Sequence, residues 1–212
     1  KHVGHCEAPR KAVKQVVLVC VGGSPVGLPV AEEVAAIVHM YLPGQSGGRA
    51  GANWLFGKAN PAGRLAETWP LHYEDVPFGK DFGKSENEVY KESVFVGYRY
   101  YTTAKKQVRY PFGYGLSYTS FAWSDMQLSE EGDRFTVSCR VKNTGTRDGA
   151  EVVQLYVSAP ESKVYKPLRE LKAFQKVRLA AGEEREVRLT VKKDELRYFG
   201  MQKRVWVLEG GE

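Results

Sequence analysis

Four acidic side chains are the residues of this sequence most able to do chemistry. Two carboxyl groups held about 5 to 5.5 Å apart can cleave an acetal with retention of configuration, one as nucleophile and the other as proton donor. The candidates are Glu74 and Asp75 after a Trp-Pro pair predicted to turn, Glu92 before an aromatic segment predicted to be a strand, and Asp125. No sequence spacing brings two of them together, and each is interpreted first as a surface or supporting group.

The other chemistry-bearing residues fit no catalytic or binding pattern. Glycines in residues 22–27 follow a predicted strand, but Leu28-Pro29 stands where a phosphate-binding loop carries Lys and then Ser or Thr. Ser24 and Ser117 lack the G-x-S-x-G context of a nucleophilic serine. We therefore expect no nucleotide, cofactor or metal site. The histidines, which form no zinc-like or triad-like group with Asp, Glu or Cys, are His2, His5, His39 and His72.

Composition describes a folded chain of about two domains that binds neither membrane nor nucleic acid. The 212 residues are 42% hydrophobic and 26% charged, and the longest apolar run, Val16 to Val21, has the length of a strand. The net charge of +6 does not form a basic patch. Positive residues alternate with apolar ones and with Glu, as in residues 185–189, which is typical of the solvated face of a strand.

The cysteines favour a reducing compartment. Cys6, Cys20 and Cys139 make an odd number without metal-ligand spacing, so we expect no structural disulfide. Cys20 and Cys139 lie in apolar strand patterns, where cysteine acts as a small buried hydrophobe. His39, also in an apolar segment, is expected to be a hydrogen-bonded core residue. No signal peptide is visible at the start of the sequence.

Residues 1–120 have the pattern of part of an α/β domain. A strand buried on both faces is predicted over residues 16–21, and another over residues 36–42, with an amphipathic helix over residues 30–40 as the alternative. Between Gly44 and Gly57 a helix with small residues at its start is predicted, with Gly57 as its C′ residue and its thin start approaching a sheet. Asn60 to Gly63 is predicted to form a type I turn.

Residues 121–212 alternate polar and apolar side chains with a period of two, as antiparallel strands do. Turns are predicted at residues 143–145 and 181–183. This spacing predicts an immunoglobulin or fibronectin type III-like sandwich that lacks its last strand, with the domain boundary near Phe121. The predicted strands centre on residues 135–141, 153–157, 171–179, 187–191 and 205–207.

Several segments resemble the family 3 glycoside hydrolases. Residues 41–70, YLPGQSGGRAGANWLFGKANPAGRLAETWP, resemble the family signature, approximately Y-P-G-Q-x-G-G-x-A-x-A-x-x-L-F-G-x-x-N-P-S-G-K-L-x-x-T-x-P. Residues 96–101 and 111–121 are similar to the two segments that close the α/β sandwich domain of that family. The fibronectin-like part matches as well, in residues 143–145, 151–157, 169–174 and 181–183.

The resemblance implies that the catalytic residues lie outside this chain. In that family the nucleophile is an Asp, commonly in Ser-Asp-Trp, on a (β/α)8 barrel, and the acid/base is a Glu on a loop that precedes the strand matching residues 16–21. Ser124-Asp125 is followed by Met126 instead of Trp. Glu7, the carboxylate in residues 1–14, matches an ordinary helix position better than the acid/base. We therefore expect no catalytic, cofactor-binding or metal-binding residue here.

The resemblance thus predicts the C-terminal portion of a retaining β-glucosidase-like enzyme of carbohydrate metabolism, which hydrolyses O-glycosyl bonds. By itself the chain is expected to be inert. Its expected role is to brace the (β/α)8 barrel of the same parent protein, and a β-linked glycoside is expected to bind only when that barrel is present. The alternative is an independent carbohydrate-binding or adhesive module with an exposed aromatic platform. Its possible members, Tyr198, Phe199 and Trp206, are expected to pack in the core instead.

Overall fold

The computed structural model describes residues 13, 15–87 and 89–210. Neither helix in this part of the chain has the length and hydrophobicity needed to cross a bilayer. The elements are β1 (Val17–Cys20), β2 (Ala36–His39), α1 (Gly47–Leu55), β3 (Trp69–Pro70), α2 (Tyr98–Thr103), β4 (Val108–Tyr110), β5 (Phe121–Glu131), β6 (Arg134–Asn143), β7 (Gly149–Val157), β8 (Glu170–Leu179), β9 (Glu184–Lys192), β10 (Tyr198–Gly200) and β11 (Val205–Val207).

Strands β1 and β2 pair in parallel, with Val17 opposite Ala36. This confirms both predicted strands, and the alternative helix over residues 30–40 is wrong. The predicted burial of β1 on both faces is also wrong, because Val17 and Val19 are 42% and 43% exposed. The described residues place no layer over that face of the pair.

Helix α1 ends as its sequence predicts. Gly57 has a left-handed φ of 68° and donates its N–H to the carbonyl of Trp54, which confirms it as the C′ residue. The small residues at the start of the helix approach both a loop and the end of the β1–β2 pair, since a Cβ on Gly51 would lie 3.5 Å from Sδ of Met40, the residue after β2. A Cβ on Gly47 would lie 2.8 Å from Cγ of Pro43, in the loop that leads into the helix.

The predicted type I turn at residues 60–63 is wrong. No backbone hydrogen bond joins Gly63 to Asn60, and the segment runs through without a turn. The side chain of Asn60 instead bonds to residues far along the chain, as described below. Asn favours a turn when its side chain bonds to its own backbone nearby, and here the Asn60 side chain is used elsewhere.

The second half of the chain is an antiparallel sandwich. One sheet has the order β5-β6-β9, and β7 pairs with β8 opposite it. The strands predicted within β6, β7, β8, β9 and β11 are confirmed, whereas β5 and β10 were not predicted. Cys139 on β6 is a free thiol whose pKa burial raises. The buried core consists of Val141, Val153, Val177, Leu179, Val187 and Leu189.

The β10–β11 hairpin carries aromatic side chains that the sequence placed in the core. Phe199 and Trp206 are directly opposite each other, with ring centroids 5.7 Å apart, yet they are 44% and 63% exposed. The expected core packing of this pair is therefore wrong. A two-stranded hairpin has a second face that its own strands cannot cover.

Glu209 fastens the loop between β7 and β8 to this hairpin. Its carboxylate accepts hydrogen bonds from Oγ of Ser162 at 2.6 Å, the N–H of Lys163 at 3.0 Å, Nζ of Lys166 at 3.2 Å and the hydroxyl of Tyr198 at 3.3 Å. The Ser162 hydrogen bond is the largest cause that holds the pKa of Glu209 down to about 2, with Lys163 and Lys166 adding to it. The charged form of this residue is therefore part of the fold.

We predict that Glu209→Gln destabilises the chain in a pH-dependent way. A carboxyl whose folded-state pKa is lowered stabilises the fold above its unfolded pKa, near 4.5, and loses that contribution as the pH falls toward 2. The gap in unfolding free energy between wild type and variant should thus be largest at neutral pH and close on acidification. Urea titrations across this range measure it, with the exposed Glu161→Gln of the same loop as control. A gap that stays constant with pH would contradict the role.

Candidate functional site

Glu74 and Asp75 lie in a short 3-10 turn over Tyr73–Asp75. The Trp-Pro pair before them is strand β3 and not the predicted turn, because Trp69 and Pro70 pair with β4. Asp75 accepts a hydrogen bond from Nζ of Lys106 at 3.1 Å. Asp75 therefore has a structural cation partner.

Glu92 lies, half-buried, in a turn before α2. The aromatic segment that follows it is a helix, so its prediction as a strand is wrong. Burial is the main cause that raises the pKa of the Tyr101 hydroxyl, and the charges of Asp75 and Glu92 raise it further. The structure thus brings two of the candidate carboxylates near one phenol, and their combined effect is to keep that phenol protonated.

Asp125 interrupts the edge strand β5. It has a left-handed φ of 51°, and the pairing register with β6 shifts between Ser124 and Gln127. Its carboxylate lies 3.3 Å from Nε of Arg140 on the neighbouring strand. The exposed side chain belongs to a β-bulge in the first strand of the sandwich.

The remaining sequence candidates are scattered. Ser24 is exposed in the loop after β1, and no helix follows the glycines of residues 22–27 before β2. His72 is exposed at the start of the Tyr73–Asp75 turn. Within the described ranges, no group of three His, Cys, Asp or Glu side chains could hold a metal ion. His2, His5, Cys6 and Glu7 lie outside the described residues.

His39, at the end of β2, lies against two aromatic side chains. Its ring packs edge-on against Tyr41 and Trp69, at centroid distances of 4.2 and 4.9 Å. Both ring nitrogens are buried without a hydrogen-bond partner, so the expected hydrogen-bonded histidine is wrong. Burial lowers the pKa of His39, and it separately raises the pKa of Glu67, which favours the neutral form of each side chain.

The side chain of Asn60 joins three separate segments at the junction of the two halves. Its Nδ2 donates to the carbonyl of Asp148 at 2.9 Å. Its Oδ1 accepts from the N–H of Tyr118 at 2.9 Å and from Oγ of Ser117 at 3.0 Å. This use of the amide explains why the segment after it does not turn.

Asn143, on the sandwich side of the junction, also joins separate segments through its side-chain amide, and it is fully buried. Its Nδ2 donates to the carbonyls of Arg147 at 2.8 Å and Leu179 at 3.2 Å. Its Oδ1 accepts from Oγ1 of Thr119 at 2.6 Å and the N–H of Gly145 at 3.1 Å. All four hydrogen-bonding positions of the amide are therefore satisfied.

Arg64 and Glu151 form an ion pair between the two halves, with Nη2 and Oε1 2.7 Å apart. Their side chains are only 10% and 16% exposed. The same Oε1 also accepts from the N–H of Val152 at 2.7 Å. Removing one partner would leave a desolvated charge without compensation.

Helix α2 is hydrogen-bonded to the start of β8 and to the residues just before it. The hydroxyl of Tyr98 accepts from the N–H of Leu171 at 2.7 Å, and Oγ1 of Thr103 accepts from the N–H of Leu168 at 2.9 Å. Tyr98 also stacks on Phe112, with ring centroids 5.0 Å apart. The segment of residues 96–101 that resembled a family motif is thus one of the parts of the first half that contact the sandwich.

The polar atoms of this junction are used in hydrogen bonds and in an ion pair between the two halves of the chain. A model described as the glycosyl hydrolase family 3 C-terminal domain matches residues 5–118, more than half of the chain. This chain belongs to glycosyl hydrolase family 3. A fibronectin type III-like domain matches residues 151–212. The predicted family and the predicted order, α/β part followed by β-sandwich, are both confirmed.

Named relatives of this family 3 chain are β-glucosidases. It is 42% identical to thermostable beta-glucosidase B of Acetivibrio thermocellus, over 97% of the chain and 28% of that relative. It is 41% identical to beta-glucosidase BoGH3A of Bacteroides ovatus, over 97% of the chain and 29% of the relative. The crystal structure of the Kluyveromyces marxianus beta-glucosidase with glucose superposes with a TM-score of 0.93 at 38% identity, covering 99% of this chain and 26% of that one. The chain therefore spans less than a third of their length.

We predict that the Arg64–Glu151 pair stabilises this family 3 chain as a desolvated unit. Arg64→Met should lower the unfolding free energy by about 3 kcal/mol, because the largely desolvated carboxylate of Glu151 would lose its cation partner and keep only the hydrogen bond from Val152. Adding Glu151→Leu should recover part of that loss. Denaturant titrations of the single and double variants measure the coupling.

The matched control is the exposed pair Arg188–Glu186, whose side chains are 69% and 48% exposed. Arg188→Met should cost less than about 1 kcal/mol. Equal costs at the two pairs would contradict the desolvation argument.

We predict that Asn143→Asp destabilises the chain although it changes few atoms. The new oxygen would face the carbonyls of Arg147 and Leu179 in place of an N–H donor, for a cost of about 3 kcal/mol. The exposed Asn87→Asp should be nearly neutral. Thermal or chemical unfolding compares the two, and similar losses at both positions would rule out the buried amide as the cause.

Proposed function

We propose that this chain is the accessory C-terminal portion of a β-glucosidase-like glycoside hydrolase and that it braces the catalytic barrel of its parent. The observation that carries the proposal is the alignment with β-glucosidases over 97% of this chain but only 28% of the relative. The proposed partner is the (β/α)8 barrel of the same parent. A β-linked glycoside would bind only when that barrel is present. We propose neither nucleic acid nor membrane as a partner.

The parallel pair β1–β2 supports this role. Parallel strands are normally found in larger sheets with both faces covered, since each crossover brings a layer with it. Here Val17 and Val19 remain 42% and 43% exposed on a two-stranded sheet. We infer that the parent supplies further strands and a covering layer, which would fix the α/β part against the barrel.

We propose that no residue of this chain is catalytic, binds a cofactor or binds a metal. Retaining hydrolysis needs one carboxylate as nucleophile and a second that first donates and then accepts a proton. Asp75 and Asp125 already have cation partners, Lys106 and Arg140. Both catalytic carboxyl groups would come from the parent outside this chain.

We also propose the domain boundary at residues 120 and 121, so that residues 1–120 are the partial α/β sandwich domain and residues 121–212 the fibronectin type III-like domain. The start of β5 at Phe121 supports this division. The hydrogen bonds of Asn60, Tyr98 and Asn143 would then hold two domains in one fixed arrangement.

A second candidate function, an independent carbohydrate-binding module, is favoured by the exposure of Trp206 and Phe199. Their ring planes meet at 73°, however, so the pair offers no flat platform to a sugar. Titration with β-linked oligosaccharides separates the two candidates. We expect no tryptophan fluorescence response from residues 1–212, whereas a response lost in Trp206→Ala would favour the module.

We predict that purified residues 1–212 do not turn over aryl β-glucosides and that a parent chain extended to include the barrel does. The reason is that the acid/base and nucleophile pair would be complete only in the extended protein. Release of the aryl alcohol, followed by absorbance, measures both. Turnover by residues 1–212 that disappears in Glu92→Gln would overturn the assignment, and Glu161→Gln serves as the surface control.

A further inference from the structure

The loop between β3 and α2 exposes several large apolar side chains. Its residues 73–96 contain only short 3-10 turns, over Tyr73–Asp75 and Gly79–Asp81. Phe82 and Tyr90 are 80% and 91% exposed. Single exposed apolar residues are normal on a protein surface, whereas a contiguous patch marks a site of contact. Besides Tyr73, the exposed large apolar side chains are Phe78, Phe82, Val89, Tyr90, Val94 and Val96.

One ion pair draws two parts of this loop together. Nζ of Lys91 lies 2.7 Å from Oδ2 of Asp81 and 5.7 Å from the ring centroid of Phe78. Phe82 follows Asp81 and Tyr90 precedes Lys91, so both lie beside that pair. Phe78, Phe82 and Tyr90 therefore belong to one surface, which we call the aromatic patch.

The loop that carries the aromatic patch is held in place on both sides. The hydroxyl of Tyr73 donates to the carbonyl of Gly79 at 2.8 Å. Phe95 stacks on Tyr165, in the loop between β7 and β8, with ring centroids 4.8 Å apart. A surface that is already fixed loses less conformational entropy when a partner binds than a mobile one does.

Phe78 has a strained backbone conformation. Its φ of 56° lies in the left-handed region, which bulky residues rarely adopt, and its side chain is 49% exposed. Strained residues of this kind concentrate in segments that bind ligands or partners. A strained residue with an exposed ring therefore indicates a function at the surface.

The charges around the aromatic patch favour a protein as its partner. Residues 73–96 contain three Lys and six Asp or Glu, a net charge of −3. Segments that lie on membranes are instead rich in Lys and Arg. Apolar rings surrounded by charges of both signs are typical of protein interfaces, which have an apolar centre and a polar rim.

The length of the relatives favours the rest of the parent as that protein. The chain spans 28% and 29% of two aligned β-glucosidases. A partner in the same polypeptide is present at high effective concentration, so a patch of a few rings is enough to bind it. A second copy of this chain would need an interface of standard size, with about 20–30 residues on each side.

We propose that the aromatic patch is a docking surface for the (β/α)8 barrel of the parent, with Phe82 and Tyr90 as its anchors. This inference rests on the proposed function, since it takes the barrel to belong to the same protein. It adds to that function the surface through which the loop would contact the barrel.

Hydroxyl-radical footprinting, read by mass spectrometry, compares residues 1–212 with the parent. Oxidation of Phe82 and Tyr90 should be at least fivefold slower in the parent, because the barrel would cover both rings. Phe174, 68% exposed on β8, is the internal control, and its rate should change less than twofold. Equal rates for Phe82 and Tyr90 in the two proteins would overturn the docking surface. If that parent still turns over aryl β-glucosides, the proposed function stands and the docking surface alone has failed.

The double substitution Phe82→Asp with Tyr90→Asp is the second test. It should leave the thermal midpoint of residues 1–212 unchanged, because both side chains are exposed there, and lower the first transition of the parent by at least about 3 °C. Phe174→Asp, the matched control, should affect the two proteins equally. Equal effects of the double substitution on both proteins would contradict the proposal. A dimer of residues 1–212 that ultracentrifugation detects and the double substitution abolishes would assign the patch to a second copy instead.

Discussion

The requirement that buried polar groups find hydrogen-bond partners governs the junction of this molecule. Asn143 is fully buried and is tolerated there only because four partners meet its amide: Gly145 and Arg147 in the turn that follows it, and Thr119 and Leu179 in distant segments. Asn60 does the same from the other side. Each amide fixes the relative position of segments that are far apart in sequence, so the two halves of the chain have one arrangement instead of many.

Much of the sandwich could be predicted from the sequence because burial alternates along its strands. On β9 the apolar residues Val187, Leu189 and Val191 alternate with polar ones in the sequence, and these three are the buried residues of the strand. Strand β5 escaped prediction because the bulge at Asp125 interrupts its alternation and most of its side chains are exposed. The family resemblance depends on the identity and order of residues in several segments, so a local interruption in one strand does not obscure it.

The junction itself could not be predicted, for a physical reason. Asn60-Pro61-Ala62-Gly63 carries strong local turn signals, yet the Asn60 side chain is bonded to residues far along the chain, among them the carbonyl of Asp148, 88 positions away in the sequence. The same holds for Trp206, whose apolar side chain favours burial although its hairpin leaves it 63% exposed. Local propensity describes a segment on its own, whereas these contacts depend on the whole fold.

The irregularity in β5 has a consequence for how this protein behaves at high concentration. As the outer strand of the order β5-β6-β9, β5 presents unpaired backbone groups that another chain could join to extend the sheet. The bulge twists that edge, and the charged pair Asp125–Arg140 lies at the same point. Intermolecular strand addition would have to straighten the bulge and disturb those charges, so the defect that hid the strand from sequence reasoning also protects its edge from aggregation.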